Sequence, residues 1–346
     1  MMFTYVGCFL GAGYVSGQEL WQYFGSYGKI GIPGLFLAIF LLIVASVITM
    51  FLAYDTGLFG MDDIIVMGDR PILKKIFGYF GVFLFFSIGS IMTAGIGNLT
   101  LSLAGLPEWT GALVVTILAS VVAYKGLEGM VAVFSYTSPV LIVVAVIICI
   151  VRLSGHANAV DLSGGTVNPM LGPWPVSAVN YMAMNIFGSI ALLSPLARHV
   201  KGGKKSIAVA ITGGSLVLLF VALLIVLSLT TAEGAVEAEM PMLVVAKAVG
   251  SVASWVYGIL IFLAMFGVAQ SSFVAVISHL ECEFEYIKKH RLIFIIIIGI
   301  LTFLASLGGF SGLISIVYPV FGYVGILSVI FVVIHYIFRK KEMKND

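Results

Sequence analysis

Charge is what this chain has least of. Only 10% of its 346 residues are Asp, Glu, Lys or Arg, while 61% are hydrophobic. A soluble domain carries about a quarter charged residues. Water therefore cannot be the solvent for most of this chain, and a lipid bilayer must be. The net charge of +2 is small, and no basic tract with interleaved aromatics occurs, which excludes a nucleic-acid partner. Cysteine is scarce too. Cys8, Cys149 and Cys282 are scattered without metal-ligand spacing and read as free thiols. His199, His279 and His335 fall near span ends without ligand-like neighbours, so no metal site or cofactor is expected. No serine–histidine or paired-aspartate arrangement suggests an intramembrane protease, and no enzyme is expected. Asp62 and Asp63 stand beside basic loop residues and read as solvated. The lack of a glycine-rich nucleotide loop excludes ATP-driven pumping by this chain. No basic region precedes the first apolar segment and no small-residue cleavage site follows it, so that segment is expected to be kept as a span.

What remains is apolar runs. A helix crosses the hydrocarbon in about 20 residues. Ten runs qualify, near 3–26, 32–54, 76–104, 110–124, 127–153, 176–200, 206–231, 250–280, 292–308 and 311–338. The fourth is the shortest. Basic residues favour the cytoplasmic side. With the N-terminus inside, the outer segments hold only Lys29, Arg152 and Lys247 of the 18 Lys and Arg. Both termini are therefore expected in the cytoplasm of a plasma (inner) membrane protein. The acidic residues Glu233, Glu237 and Glu239 then fall outside and carry no assigned function.

The longest polar connection, 154–175, divides the spans five and five. The expected layout is a first repeat over 1–153, the external connection 154–175, a second repeat over 176–338 and a basic cytoplasmic tail over 339–346. An odd number of spans per repeat makes the two enter the membrane from opposite sides. The first span of each repeat is weakened at a matching place. Span 1 reads GCFLGAGYVSGQEL, interrupted at Gly11-Ala12-Gly13, and span 6 carries Asn185, Gly188-Ser189 and Ser194-Pro195. Paired interruptions of this kind point to a transporter binding site. Unwound backbone is tolerated in a membrane only where it lines a cavity or meets a ligand. Amides beyond the break suit a carboxylate, and the carbonyls before it suit a cation. The competing explanation is packing. Gly7-Gly11 and Gly13-Gly17 both have the four-residue spacing that lets helices approach closely.

Glu19 is the ionisable residue of span 1. Intramembrane acids are costly and usually face a cavity or partner. It is expected to gate, bind a cation or take a proton, against the alternative of a structural hydrogen bond. On span 3, Ser90, Thr93, Ala94, Gly97 and Asn98 share one helical face. They suit close packing or a cavity wall, with Thr93 as the candidate substrate contact. Tyr14 and Phe187 are candidates for an apolar wall around a substrate.

GAGYVSGQE, together with the ten-span layout, resembles the YkvI-type membrane proteins, permease-like members of the amino acid–polyamine–organocation superfamily. The resemblance covers nearly the whole chain. It implies an all-α LeuT fold of two inverted five-helix repeats, with helices 1 and 6 broken around the substrate. It also implies that Ser271 and Ser272 on span 8 match a hydroxyl pair that meets carbonyls from the span 1 break, with Gly267 as a carbonyl donor. Oxygen ligands suit a hard cation. Some relatives replace sodium by a lysine on span 5. Here Ser135, Tyr136, Thr137, Ser138 and Pro139 occupy that region, with no lysine in its core. The expectation is a cation-coupled symporter of a neutral amino acid. Substrate contacts are Gly11, Ala12, Gly13, Tyr14, Thr93, Asn185, Phe187, Gly188 and Ser189. Coupling is either to Na+ at Gly11, Gly267, Ser271 and Ser272 or to protons through Glu19. A non-transporting sensor, as germinant-receptor subunits of the superfamily resemble, is the alternative. The start MMFTYVGC leaves about ten residues ahead of the break, fewer than in similar proteins.

Overall fold

A computed structural model describes residues 1–9, 11–125, 130–200 and 202–345. Regular structure among them is helical. The first apolar segment is three short helices, α1 (Met2–Phe9), α2 (Ala12–Ser16) and α3 (Gln18–Tyr23). Then come α4 (Gly31–Thr56), the short α5 (Met61–Ile65), α6 (Pro71–Ala104), α7 (Glu108–Lys125) and α8 (Met130–His156). The second half holds α9 (Trp174–Leu196), α10 (Gly203–Leu229), the short α11 (Pro241–Val249) and α12 (Ser251–Glu283). It ends with the short α13 (Glu285–Lys289), α14 (Arg291–Ser306) and α15 (Phe310–Asn345). Among the described residues, eight helical stretches are long and apolar enough to cross a membrane, and α14 is a shorter apolar helix. With the broken first segment, the order of ten expected runs is reproduced. The shortest unbroken one is α14 rather than α7. Residues 339–345 continue α15 as helix.

The surface is inverted relative to a soluble protein. Phe40, Val209, Phe220 and Val252 are exposed, while Gln18, Glu19, Asn180 and Gln270 are buried. Lipid accepts the former at no cost and forces the latter inward.

Span 6 departs from expectation. α9 runs without a break through Gly188 and Ser189 and one residue past Pro195. Only then does it tighten into a 3-10 turn at Ala197–His199, followed by extended Val200 and left-handed Gly202. The interruption thus lies beyond the helix end and not at Gly188-Ser189. Gly188 is an ordinary packing residue, with Leu84 of α6 as its neighbour. Ser189 Oγ donates to the Ile186 carbonyl at 3.1 Å and supports the helix locally.

The second half docks tightly through α15 on α9. A methyl group on Gly325 would sit 2.2 Å from the Ala183 carbonyl oxygen, and one on Gly322 would sit 2.0 Å from Asn180 Oδ1. Small residues at these positions let two membrane helices touch backbone to backbone. Pro319 within α15 has no N–H, which frees the carbonyl four residues earlier. That carbonyl belongs to Ser315, and Asn168 Nδ2 donates to it at 2.7 Å. Asn180 Nδ2 donates to the Pro319 carbonyl at 2.9 Å. Two asparagines therefore satisfy the backbone around the proline, as lipid requires.

The connection over 154–175 closes over the turn just ahead of α4. Lys29 N–H donates to the Leu162 carbonyl at 3.0 Å, and Gly165 N–H to the Ser26 carbonyl at 2.9 Å. Of the acidic stretch, Glu239 has a structural role. Its Oε2 accepts from the Phe310 N–H at 3.2 Å and caps α15. Burial raises the Glu239 carboxyl above its usual range, and the bond from Phe310 partly opposes this. The folded state therefore holds this proton more tightly than the unfolded chain does. That contribution to stability is present at low pH and fades as pH rises through the raised range. Glu239→Gln keeps an acceptor for Phe310 and removes the buried charge. It should flatten this part of the fall in melting temperature between acid and neutral pH.

Candidate functional site

The first span is interrupted twice. Gly11 is extended, at φ −75° and ψ 166°, between α1 and α2. Gly17 is left-handed, at φ 83°, between α2 and α3. Only the first break was expected. Gly17 is where glycine is obligatory: an L side chain is strained at this φ, and a methyl there would press on Met242 and Leu229 at 3.1–3.2 Å.

The kink at Gly17 creates the site. On a continuous helix, Gly13 and Glu19 would be separated by about 9 Å of rise and point to different faces. Here the chain folds back, and a methyl on Gly13 would lie 2.8 Å from Glu19 Oε2 and 3.0 Å from the Tyr318 hydroxyl. Glu19 is 4% exposed, and its Oε1 has no hydrogen-bond partner. The Tyr181 hydroxyl and Asn185 amide of α9 face its carboxyl group. Tyr14, Tyr23 and Tyr318 lie within its electrostatic reach. Helices α2, α3, α9 and α15 therefore meet at one carboxyl group.

The surrounding hydroxyls are fixed by backbone and amide groups. Tyr14 donates to the Leu218 carbonyl of α10. Tyr257 of α12 donates to the Val15 carbonyl of α2. Tyr23 donates to Asn180 Oδ1 at 2.9 Å. The Val15 carbonyl beside the Gly17 break thus has a donor brought from a distant helix, and the break is built into the fold. Gln18 Nε2 donates to Ser311 Oγ at 2.6 Å, which ties α3 to the start of α15.

Other expected site residues lie elsewhere. Phe187 is fully buried and stacks on Phe321 of α15 at 6.3 Å, a packing role. Thr93 Oγ1 donates to the Gly89 carbonyl on its own helix at 2.8 Å. Asn98 Nδ2 donates to Glu108 Oε1 at 3.0 Å, and a methyl on Gly97 would meet the Glu108 carbonyl at 2.6 Å, so the lower part of that stripe packs on α7. Ser271 is exposed and donates to the Gly267 carbonyl at 2.8 Å, whereas Ser272 is buried against Gly89. The two hydroxyls point to different surroundings. The side chains of Ala12, of residues 135–138 and of His199 lie outside what the structure describes.

The packing explanation for the glycines divides cleanly. Methyls on Gly7 and Gly11 would meet nothing within 4 Å, while Gly13 and Gly17 are crowded. Gly7-Gly11 is therefore not a packing pair in this conformation. Sequence reasoning missed Tyr181, Tyr318, Asn180 and Tyr257. They were not singled out, and no local pattern sets them apart. A cleft of about 320 Å³ lies between α5, α6, α9 and α12, lined in part by Asp62, Lys74, His279 and Glu283.

No family model matches the chain. It is 27% identical over 325 residues to the uncharacterized protein YyaD of Bacillus subtilis (strain 168), covering 92% of this chain and 91% of that one. It is also 27% identical over 326 residues to the uncharacterized membrane protein YkvI of the same organism, covering 92% and 90%. In three dimensions it superposes on the inward-facing conformation of Mhp1 with a TM-score of 0.64. That match spans 95% of this chain and 74% of Mhp1 at 12% identity. This is the LeuT fold. Mhp1 is a nucleobase-cation-symport-1 family transporter, and identity this low carries the architecture alone. The resemblance read from GAGYVSGQE has its counterpart in YkvI, along nearly the full chain.

Proposed function

We propose that this protein is a secondary active transporter. It moves a neutral amino acid or similar small zwitterion across the plasma (inner) membrane by alternating access, coupled to a cation. Both termini face the cytoplasm in this reading, which rests on the placement of Lys and Arg. The observation that carries it is the twice-broken first span, which holds a buried carboxyl group with an unpartnered oxygen at the meeting point of four helices. Such an arrangement is costly for a merely structural bundle and suits a site visited by ligand or ion. The substrate's carboxylate would meet the amides beyond Gly11, and its ammonium would meet α9. The cleft beside α6 and α12 would be part of the cytoplasmic route.

The test is thermal stabilisation of purified protein against a panel of amino acids, in sodium and in choline. A ligand that binds the native state at 100 times its Kd stabilises it by about 2.7 kcal/mol. At least one neutral amino acid should raise the melting temperature. A sodium requirement lost in Ser271→Ala would place the cation on α12. The absence of any shift from well-folded protein would count against amino acids as the ligand class.

A further inference from the structure

Glu19 differs from the other buried polar groups because nothing among the described residues balances its charge. The groups facing it come from four elements, and all are uncharged in the neutral range: Tyr14 and the Gly13 backbone on α2, Tyr23 on α3, Tyr181 and Asn185 on α9, and Tyr318 on α15. None of the four salt bridges found among the described residues includes it. An ionised carboxylate with one bare oxygen in this setting is an uncompensated buried charge, which proteins avoid by neutralising the group or supplying a counter-ion.

Three occupants would neutralise it. An organic ammonium needs room beside the carboxyl group, and the space on its Gly13 side is too small for even a methyl group. A hard metal cation needs a shell of several oxygens at short range, whereas the Gly13 carbonyl already accepts from Ser16 Oγ at 2.8 Å and the Tyr14 and Tyr23 hydroxyls are held on the Leu218 carbonyl and Asn180 Oδ1. A proton needs no volume and no shell.

We propose that Glu19 is a proton-binding site of the transport cycle. The carboxyl is neutral in the conformation seen here. It ionises only when the broken span opens to water on one side of the membrane. This deepens the transporter reading and rests on it. The chemistry is a reversible O–H bond on the Glu19 carboxyl, with the proton exchanged with bulk water.

Infrared difference spectroscopy of the purified full chain tests this without any substrate. Spectra are taken from about pH 5 to about pH 9, a range that spans ordinary and strongly raised carboxyl groups, once in sodium chloride and once in choline chloride. The expected result is the C=O stretch of a protonated, water-excluded carboxyl group that disappears at alkaline pH. It should be missing from Glu19→Gln at every pH and unchanged by the choice of cation. Glu19→Gln keeps the shape and should fold, and its melting temperature checks that. An ionised Glu19 throughout the range overturns the proposal. So does a titration that sodium displaces, since it would make the site a metal-cation site. Because the band is read on the protein itself, the proton assignment fails or survives separately from any failure to find a transported amino acid.

Discussion

Gly325→Ala should unseat α15 from α9. The new methyl would lie 2.2 Å from the Ala183 carbonyl oxygen, and a backbone atom cannot rotate away as a side chain can. Overpacking a well-filled contact costs about 1–3 kcal/mol and sometimes more. With a carbonyl as the obstacle, the upper end or beyond is expected. The same shift would pull at Asn180, whose two hydrogen bonds reach Tyr23 and the Pro319 carbonyl. Losing these would leave buried polar groups unpaired, at about 1–3 kcal/mol each. The measurement is the melting temperature and the monodisperse yield in detergent. Gly7→Ala is the internal control: its methyl meets nothing within 4 Å and it sits in a helix, where Ala is favoured over Gly by roughly 0.5–1 kcal/mol. That variant should be as stable as the wild type or slightly more so. Equal stability of the Gly325 and Gly7 variants would contradict the close approach of α15 and α9.

Gly13→Ala should spare the fold and damage the function. Gly13 lies within α2 at an ordinary helical position, so the substitution carries no backbone strain. Its methyl collides with Glu19 Oε2 and the Tyr318 hydroxyl, at 2.8 and 3.0 Å. The carboxyl group is fully packed and would have to turn towards Tyr181 and Asn185. If that displacement costs the active arrangement about 1–3 kcal/mol, uptake falls by roughly fivefold to somewhat over a hundredfold. Gly11→Ala, two residues away in open space and at an unstrained φ, should fold normally. If a ligand does pass Gly11, that variant loses uptake as well, and its melting temperature stays unchanged.

These two expectations show what could be read in the sequence. The ten runs were legible because lipid imposes one requirement, long stretches of apolar side chains, and leaves few exceptions. The break at Gly11 was legible because glycines cluster there. The second break at Gly17 was not, since one glycine four residues further on looks like helix packing. Gly188-Ser189 looked like a matching break on span 6, yet α9 passes through it: a helix with neighbours to pack on tolerates glycine, and the chain leaves helix only after Pro195. Glu19 was visible as an unusual residue. Its surroundings were not, because Tyr181 and Tyr318 come from helices far along the chain, and the register between distant helices has no local signature.

The central claim is that the buried site around Gly13 and Glu19 serves transport. The most direct measurement is uptake of labelled neutral amino acids by liposomes containing the purified protein, under an imposed inward cation gradient. The account predicts accumulation above the external concentration, loss of it when the gradient is collapsed, and a severe defect in Gly13→Ala with the fold intact. Binding of the same amino acid with no accumulation under a sodium or a proton gradient would contradict it, and would make the protein a receptor built on a transporter fold.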